Sequence, residues 1–225
     1  MTNSQLYGLS EDHLIAIDSV HKLQPEAAAA FSCMQQAAKE DGVQIEIASS
    51  FRGFDRQLAI WNRKFNSETL SCLEPQARIE SIMRWSALPG TSRHHWGTDC
   101  DLYDPTQLQG ATLQLEPWEY EVGGPCAEVF DWLQTHALQF GFYRPYATDL
   151  GGVAPEPWHW SYAPLSETCR QAFNADELGQ LLATRALLGK ELVLPRLLEQ
   201  VTRYVKTVDP APQAQVDSGI KQQKQ

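Results

Sequence analysis

Two short segments of this chain constrain its fold most strongly, because their side chains are suited to meet at one point. The first is Ser92-Arg-His-His-Trp-Gly-Thr-Asp-Cys-Asp101, in which His94 precedes Asp101 by seven residues. The second is Glu156-Pro-Trp-His159, with a glutamate three residues before a histidine. Two imidazoles and one carboxylate form a three-ligand zinc site that leaves room for water, and a further carboxylate beside it suits a general base. We therefore expect a fold that brings both segments side by side.

The local sequence assigns a role to each of these residues. His94 follows a Pro-Gly loop, and Gly97 permits the turn that aims Asp101 at the same point. His159 supplies the third ligand, and Glu156 can reach a water molecule at the metal without binding the metal itself. His95 competes with His94, but neighbouring side chains of an extended segment point to opposite sides. We favour His94 as the ligand and place His95 behind the ligands or on the cleft wall.

Composition excludes several classes of protein. The chain has 225 residues, of which 43% are hydrophobic and 20% charged, as is ordinary for a soluble globular protein. Its 28 acidic and 18 basic residues give a formal net charge of -10, and no basic stripe is visible. We expect no nucleic-acid partner and no membrane association. No signal peptide is visible, so we expect a cytoplasmic location, with export by another route left open.

The remaining histidines and the cysteines carry weaker signals. The five cysteines are odd in number and contain no CxxC pair, which indicates reduced thiols rather than a disulfide framework. Three histidines have no histidine or carboxylate neighbour at a useful spacing, and we interpret them as structural: His13, His21 and His136.

Hydrophobic periodicity predicts an α+β fold, with a small, mostly antiparallel sheet flanked by helices. Helices are predicted over 24–42, 54–65, 74–85 and 126–140, and strands over 43–48, 98–103 and 158–163. In the strand 98–103, alternation places Asp99 and Asp101 on one face. The irregular segment 107–124 is expected to overhang the site.

We expect one domain over residues 1–205. Its motifs lie within about 25–165, and a helical C-terminal part follows over 166–205. Residues 206–225 turn to Pro, Ala, Gln and Lys, which predicts a disordered tail.

Three blocks of residues resemble the LAS superfamily of zinc peptidases, in particular the VanY-type D-alanyl-D-alanine carboxypeptidases. The blocks occur in the family's order over about 25–165. The residues that carry the resemblance are Ser49, Arg52 and Gln57, then Ser92, His94, Gly97 and Asp101, and finally Glu156, Trp158 and His159. The resemblance implies an LAS/hedgehog-like zinc peptidase fold.

The resemblance also implies roles at the site. Zinc would be held by His94, Asp101 and His159, with Glu156 as general base. Arg52 would bind the terminal carboxylate of the substrate or the developing oxyanion, and a guanidinium fork independently suits either group.

Four further residues are candidates for contacts at the site. Ser92 is expected to contact substrate. Gln57 either contacts substrate or braces the arginine one helical turn before it. The indoles of Trp158 and Trp160 either line the cleft or pack in the core.

These residues predict a zinc-dependent carboxypeptidase that removes C-terminal D-alanine from peptidoglycan-derived peptides, with D,D or L,D specificity. Two alternatives stay open. Many carboxypeptidases of this group carry alanine where this chain has Asp99, and the pattern His-x-x-Gly-x-Asp-x-Asp resembles the murein endopeptidases, which cut peptide crosslinks. A non-catalytic zinc-dependent module for cell-wall peptides is the second alternative, although such a module has no need of Glu156.

Overall fold

A computed structural model describes residues 1–212, and it confirms the predicted α+β architecture. In the described residues, the α-helices are α1 (Asn3–Leu6), α2 (Pro25–Glu40), α3 (Phe54–Phe65), α4 (Glu68–Ser71), α5 (Pro75–Trp85), α6 (Ala127–His136), α7 (Ala163–Ala172), α8 (Ala175–Ala183), α9 (Lys190–Val193) and α10 (Leu197–Val201). The strands are β1 (Ile15–Ala16), β2 (Lys22–Leu23), β3 (Glu46–Ser49), β4 (Asp99–Tyr103), β5 (Phe142–Tyr143) and β6 (His159–Tyr162). Short 3-10 turns cover Arg93–Trp96, Pro105–Leu108, Pro117–Tyr120, Ala137–Phe140 and Leu194–Arg196, and a π-helical turn covers Thr202–Lys206.

The main sheet is antiparallel, with its strands in the order β3-β4-β6-β5. Strand β4 is central, and its Asp101 lies opposite Ser49 of β3 and His159 of β6. Because directly opposite residues of antiparallel strands point to the same face, this register places Asp101 and His159 side by side. Strands β1 and β2 form a separate two-stranded ribbon.

Helix α2 covers the opposite face of the sheet together with α6. Pro25 is pre-organised for the first turn of α2, and Gly42 adopts φ +86° just beyond its end, where a side chain would strain the backbone. Phe31, Met34 and Ala38 recur at helical spacing and are fully buried. They share a core with the sheet residues Cys100, Leu102 and Trp160. The sheet face that carries Asp101 therefore stays available for a polar site.

A second core lies beside the polar face of the sheet. It joins helices α3 and α5 to α8 and α10 and is centred on the fully buried Trp61. The indole of Trp61 donates a hydrogen bond to the carbonyl of Leu188 at 3.0 Å, which fixes α3 against the C-terminal helices. Helix α3 carries cavity residues on its other side, so the second core holds one wall of the site.

The C-terminal part braces the loop that leads to Glu156. The carboxylate of Asp209 accepts hydrogen bonds from the backbone N–H groups of Ala147 and Thr148, both at 2.9 Å. This carboxylate, which lies within the segment predicted to be a disordered tail, thus satisfies donors of a loop distant in sequence. Residues 213–225 lie outside the described range, and the prediction for them stays a prediction.

Two compositional expectations can be compared with the described residues. All five cysteines lie in this part of the chain and are free thiols. None of the helices over residues 1–212 is both long and apolar enough to cross a membrane.

Candidate metal centre and active site

Three side chains from two strands and one turn converge below a cavity. The Nε2 atom of His94 lies 3.3 Å from Oδ2 of Asp101, and the Nδ1 atom of His159 lies 3.2 Å from Oδ1 of the same carboxylate. The two imidazole rings meet edge to face, with centroids 4.9 Å apart. Gly97, at φ +68°, makes the turn between the 3-10 turn that carries His94 and strand β4. The structure thus brings together His94, Asp101 and His159.

The donor set fits a metal ion. The ligating atoms of the three residues all lie within 4.8 Å of one another, and all three residues are buried. Two of their buried polar atoms, Nδ1 of His94 and Oδ1 of Asp101, have no hydrogen-bond partner among residues 1–212. Buried polar atoms are almost always hydrogen-bonded, so unpartnered ones in such a cluster indicate a function. Two imidazoles and one carboxylate match the ligands that zinc takes in hydrolytic sites.

The histidines and carboxylates of the cluster shift one another's pKa values toward the charged forms. Burial alone would lower the pKa of His159, but the neighbouring carboxylates of Asp101 and Asp99 outweigh burial and raise that pKa to about 9. Burial would raise the pKa of Asp101, yet the neighbouring histidines hold it well below its usual range. Asp101 therefore stays ionised, as a metal ligand requires.

Glu156 lies at the edge of the cluster, with Oε2 3.5 Å from Nδ1 of His159. Its backbone N–H donates to the carbonyl of Tyr146 at 2.9 Å, which fixes the loop ahead of β6. Burial raises the pKa of Glu156 to about 7, and the charge of Asp101 acts in the same direction. A carboxyl group of this pKa exchanges a proton near neutral pH.

Arg52 points into the same cavity from the turn between β3 and α3. Its Nη1 donates to Oε1 of Gln57 at 2.9 Å, and its Nη2 donates to Oγ of Ser49 at 3.0 Å. Burial lowers the pKa of Arg52, while the charges of Asp101 and Glu156 act in the opposite direction. Gln57 is fully buried and its Nε2 donates to the carbonyl of Ala87 at 2.7 Å. Of the two parts predicted for Gln57, the structure favours bracing the arginine.

The histidine next to His94 has a different environment. His95 is fully buried; its Nδ1 lies 2.5 Å from the carbonyl oxygen of Arg52, and its Nε2 accepts from the N–H of Gly90 at 3.1 Å. Residues 93–96 form a 3-10 turn, so the expectation of an extended segment was wrong. The two side chains still diverge, because successive residues of a 3-10 turn project about 120° apart. His95 lies behind the site and holds the backbone of Arg52, rather than lining the cleft.

Asp99 shares the strand face of Asp101, as alternation predicted, because it lies opposite Ser161 while Asp101 lies opposite His159. It is fully buried beneath the cluster, and its Oδ1 accepts a hydrogen bond from Nε of Arg93 at 2.7 Å. Arg93 outweighs burial and holds the pKa of Asp99 well below its usual range. The negative charge of Asp99 is therefore neutralised by Arg93 beneath the cluster.

The cavity above the cluster has a volume of about 520 Å³. Helix α3 contributes Ile60 and Lys64 to its wall, and residues 114–116 of the irregular segment 107–124 also line it. Burial and the charge of Arg52 lower the pKa of Lys64. Sequence reasoning missed Lys64, although it lies seven residues after Gln57 on the same face of a helix.

The other predicted residues divide between cavity and core. Ser92 and Trp158 line the cavity, and Trp158 also packs against Tyr120, with ring centroids 5.8 Å apart. Trp160 belongs to the core on the far face of the sheet, and its indole N–H donates to Pro157 at 3.2 Å. Tyr146, which the sequence did not single out, covers His159 with a centroid distance of 4.9 Å.

The three histidines interpreted as structural lie away from the cavity. Their contacts are edge-to-face packing of His13 on Phe51, a 2.8 Å hydrogen bond between His21 and Asp18, and packing of His136 on Trp132.

Comparison with known sequences agrees with this geometry. A sequence model of the VanY family, described as D-alanyl-D-alanine carboxypeptidase, matches residues 20–165. An uncharacterised protein of Haemophilus influenzae is 38% identical over 121 residues, which cover 52% of this chain and 92% of that protein. A D-alanyl-D-alanine carboxypeptidase of Enterococcus faecalis is 31% identical over 132 residues, which cover 56% of this chain and 42% of that protein.

Solved structures share the fold. VanYB in complex with D-alanine-D-alanine aligns with a TM-score of 0.56 at 23% identity, over 78% of this chain and 91% of that one. A VanY D,D-pentapeptidase mutant in complex with Zn(II) aligns with a TM-score of 0.54 at 22% identity, over 81% and 90% of the two chains. Since the family's sequence model spans most of the chain, including every residue of the candidate centre, the chain belongs to the VanY D-alanyl-D-alanine carboxypeptidase family.

Proposed function

We propose that this protein is a zinc-dependent carboxypeptidase that hydrolyses the C-terminal D-alanine from peptidoglycan-derived peptides, with D,D or L,D specificity. The observation that carries the proposal is the convergence of His94, Asp101 and His159 beside Glu156, at the base of a cavity that also presents a cation. The name of the Enterococcus faecalis relative and the D-alanine-D-alanine bound to VanYB support this substrate class. The Zn(II) in the VanY mutant supports the choice of metal.

The metal would be held by His94, Asp101 and His159. Bound zinc supplies a Lewis acid that polarises a carbonyl group and makes water more acidic. Burial of the three ligands in a low-dielectric environment strengthens their electrostatic interaction with a cation. Asp101 contributes the negative charge that offsets part of the charge of the ion.

Glu156 is the proposed general base. It accepts a proton from the attacking water and passes it to the nitrogen of the leaving amino acid. A pKa near 7 suits both steps, because the carboxylate is available for the first and the carboxylic acid can donate in the second. The hydrogen bond between its backbone and Tyr146 keeps the carboxylate at the edge of the metal cluster.

Two cations in the cavity favour a substrate with a free carboxylate. Arg52 is oriented by two hydrogen bonds and presents a planar fork, while Lys64 adds a second positive charge on the wall formed by α3. The substrate's terminal carboxylate would be attracted to both groups. Carboxypeptidases need such an anchor, whereas an endopeptidase has to accept a chain that continues beyond the scissile bond.

The two alternatives are supported less well. The endopeptidase alternative rested on Asp99, whose charge is paired with Arg93 beneath the cluster. A binding module would not require Glu156, whose burial and raised pKa suit proton transfer.

The test is to incubate the zinc-loaded protein with three substrates and to follow the products by mass spectrometry. The substrates are a muramyl pentapeptide ending in D-Ala-D-Ala, the matching tetrapeptide, and a crosslinked dimer. Release of alanine from the pentapeptide indicates D,D cleavage, and release from the tetrapeptide indicates L,D cleavage. Cleavage of the crosslinked dimer alone would contradict the proposal and indicate an endopeptidase. No reaction of any substrate, with zinc bound, would contradict the proposal and favour peptide binding.

The anchor can be tested separately with Lys64→Met, which keeps the length of the side chain and removes its charge. The preference for a peptide with a free carboxylate over the same peptide with a C-terminal amide should fall about tenfold, the lower end of a hydrogen bond to a charged group. Lys39→Met, at an exposed position of α2, is the matched control. An unchanged preference in the Lys64 variant would exclude Lys64 as an anchor.

A further inference from the structure

A second carboxylate contacts the metal-ligand histidine from the side opposite the cluster. The Oδ1 atom of Asp99 lies 3.0 Å from Nε2 of His159, while Nδ1 of that ring faces Asp101 and Glu156. The other oxygen of Asp99 accepts a hydrogen bond from Oγ1 of Thr98 at 2.5 Å. Thus Nε2 of His159 contacts Asp99, whereas Nδ1 faces the candidate metal centre.

Asp99 is in turn held by a buried cation. Arg93 is 1% exposed, and in addition to its 2.7 Å hydrogen bond to Asp99 it donates to Oγ of Ser161 at 2.7 Å. Its guanidinium lies over the ring of Trp96, 4.7 Å from the centroid. A third hydrogen bond is donated to the hydroxyl of Tyr143 at 3.3 Å. These contacts leave the pair little freedom, because every group around it is packed in the interior.

We propose that Asp99, held by Arg93, is a positioning residue that selects the imidazole tautomer of His159 with Nε2 protonated and Nδ1 free to bind the metal. The physical reason is that a neutral imidazole has one donor nitrogen and one acceptor nitrogen, and a carboxylate at Nε2 requires the donor there. A carboxylate behind a ligating histidine also fixes the orientation of the ring and raises the basicity of its other nitrogen. The inference rests on the proposed function for the identity of the metal.

A purely structural role for Asp99 makes a different prediction. If Asp99 only neutralised the buried Arg93, removing both charges together would leave the metal centre intact. If Asp99 positions His159, the centre weakens whenever the carboxylate is lost, whether or not Arg93 is present. Zinc affinity and the tautomer of His159 therefore distinguish the two roles, and neither measurement depends on catalytic activity.

The experiment compares Asp99→Asn with the wild-type protein. Zinc affinity, measured by competition with a chelator, should fall about 10- to 100-fold, the usual effect of losing such a partner. In the metal-free protein, at a pH at which the ring of His159 is neutral, its ¹⁵N chemical shifts should show a weaker preference for a protonated Nε2. Tyr143→Phe is the control, because it removes a hydroxyl from the network without touching Asp99, and its zinc affinity should stay within about threefold of wild type.

The double variant Asp99→Ala with Arg93→Met avoids an unpaired buried charge, should the single variant fold poorly. We expect it to fold and to bind zinc as weakly as Asp99→Asn. Wild-type zinc affinity in either variant would overturn the inference. A wild-type protein that binds zinc but releases no alanine would overturn the proposed function instead, and would leave the role of Asp99 standing.

Discussion

The hydrogen bond between Gln57 and Arg52 yields a prediction whose size follows from the structure. Gln57→Met keeps the approximate volume of a fully buried side chain but removes the acceptor of the 2.9 Å hydrogen bond from Arg52. A hydrogen bond to a charged group contributes about 1.5–3 kcal/mol, and about 1.4 kcal/mol corresponds to a factor of ten. Because Ser49 still holds the other end of the guanidinium, we expect the lower part of this range. The value of kcat/KM for alanine release should therefore fall about 10- to 30-fold.

The same substitution also removes the donor to the carbonyl of Ala87, which should lower the free energy of unfolding by about 1–3 kcal/mol. A control that shares this second effect is Gln35→Met, since Gln35 donates to the carbonyl of Ile45 at 2.8 Å but has no contact with Arg52. Steady-state kinetics, zinc affinity and urea unfolding should be measured on both variants. We expect only Gln57→Met to lose activity, with zinc affinity unchanged in both. Equal kcat/KM values for the two variants would refute the claim that Gln57 orients Arg52.

Three further predictions concern the proposed base Glu156, the pH dependence of zinc binding, and the turn at Gly97. Glu156→Gln should retain zinc, as measured by metal analysis, but lose a factor of about 10²–10⁴ in kcat, because it removes the proton acceptor; near-normal turnover would contradict this role. In the metal-free protein His159 has a pKa of about 9, so below that pH it carries a proton that zinc has to displace. The zinc Kd should rise about tenfold for each pH unit below 9, with one proton released per ion in titration calorimetry, and a Kd independent of pH from about 6.5 to 8.5 would exclude this proton. Gly97→Ala places a side chain on a residue with φ +68° and brings its Cβ within 2.3 Å of Leu14. The free energy of unfolding should therefore fall by more than the roughly 1–2 kcal/mol expected from backbone strain alone. Gly42→Ala, at φ +86° with open space around it, is the control for that strain, and equal losses in both variants would show that the contact with Leu14 has no effect.

Sequence patterns predicted the local elements well where periodicity and terminating residues agree. The predicted helix 54–65 coincides with Phe54–Phe65, and the strand predicted over 98–103 is observed as Asp99–Tyr103. Both follow from short-range rules, since a helix repeats its apolar face every three to four residues and a strand every two. The 3-10 turn at Arg93–Trp96 was not predicted, because four residues are too few to establish a period.

Sequence by itself determined which residues are candidates for a metal centre, because ligand chemistry depends on residue type, and His94, Asp101 and His159 offer two imidazoles and one carboxylate. Only the tertiary structure decided what surrounds them. The pairing of Asp99 with Arg93, the placement of His95 behind Arg52, and the entry of Lys64 into the cavity all depend on contacts between elements. Such contacts depend on how strands pair and helices pack, and the local sequence pattern around each residue does not predict them.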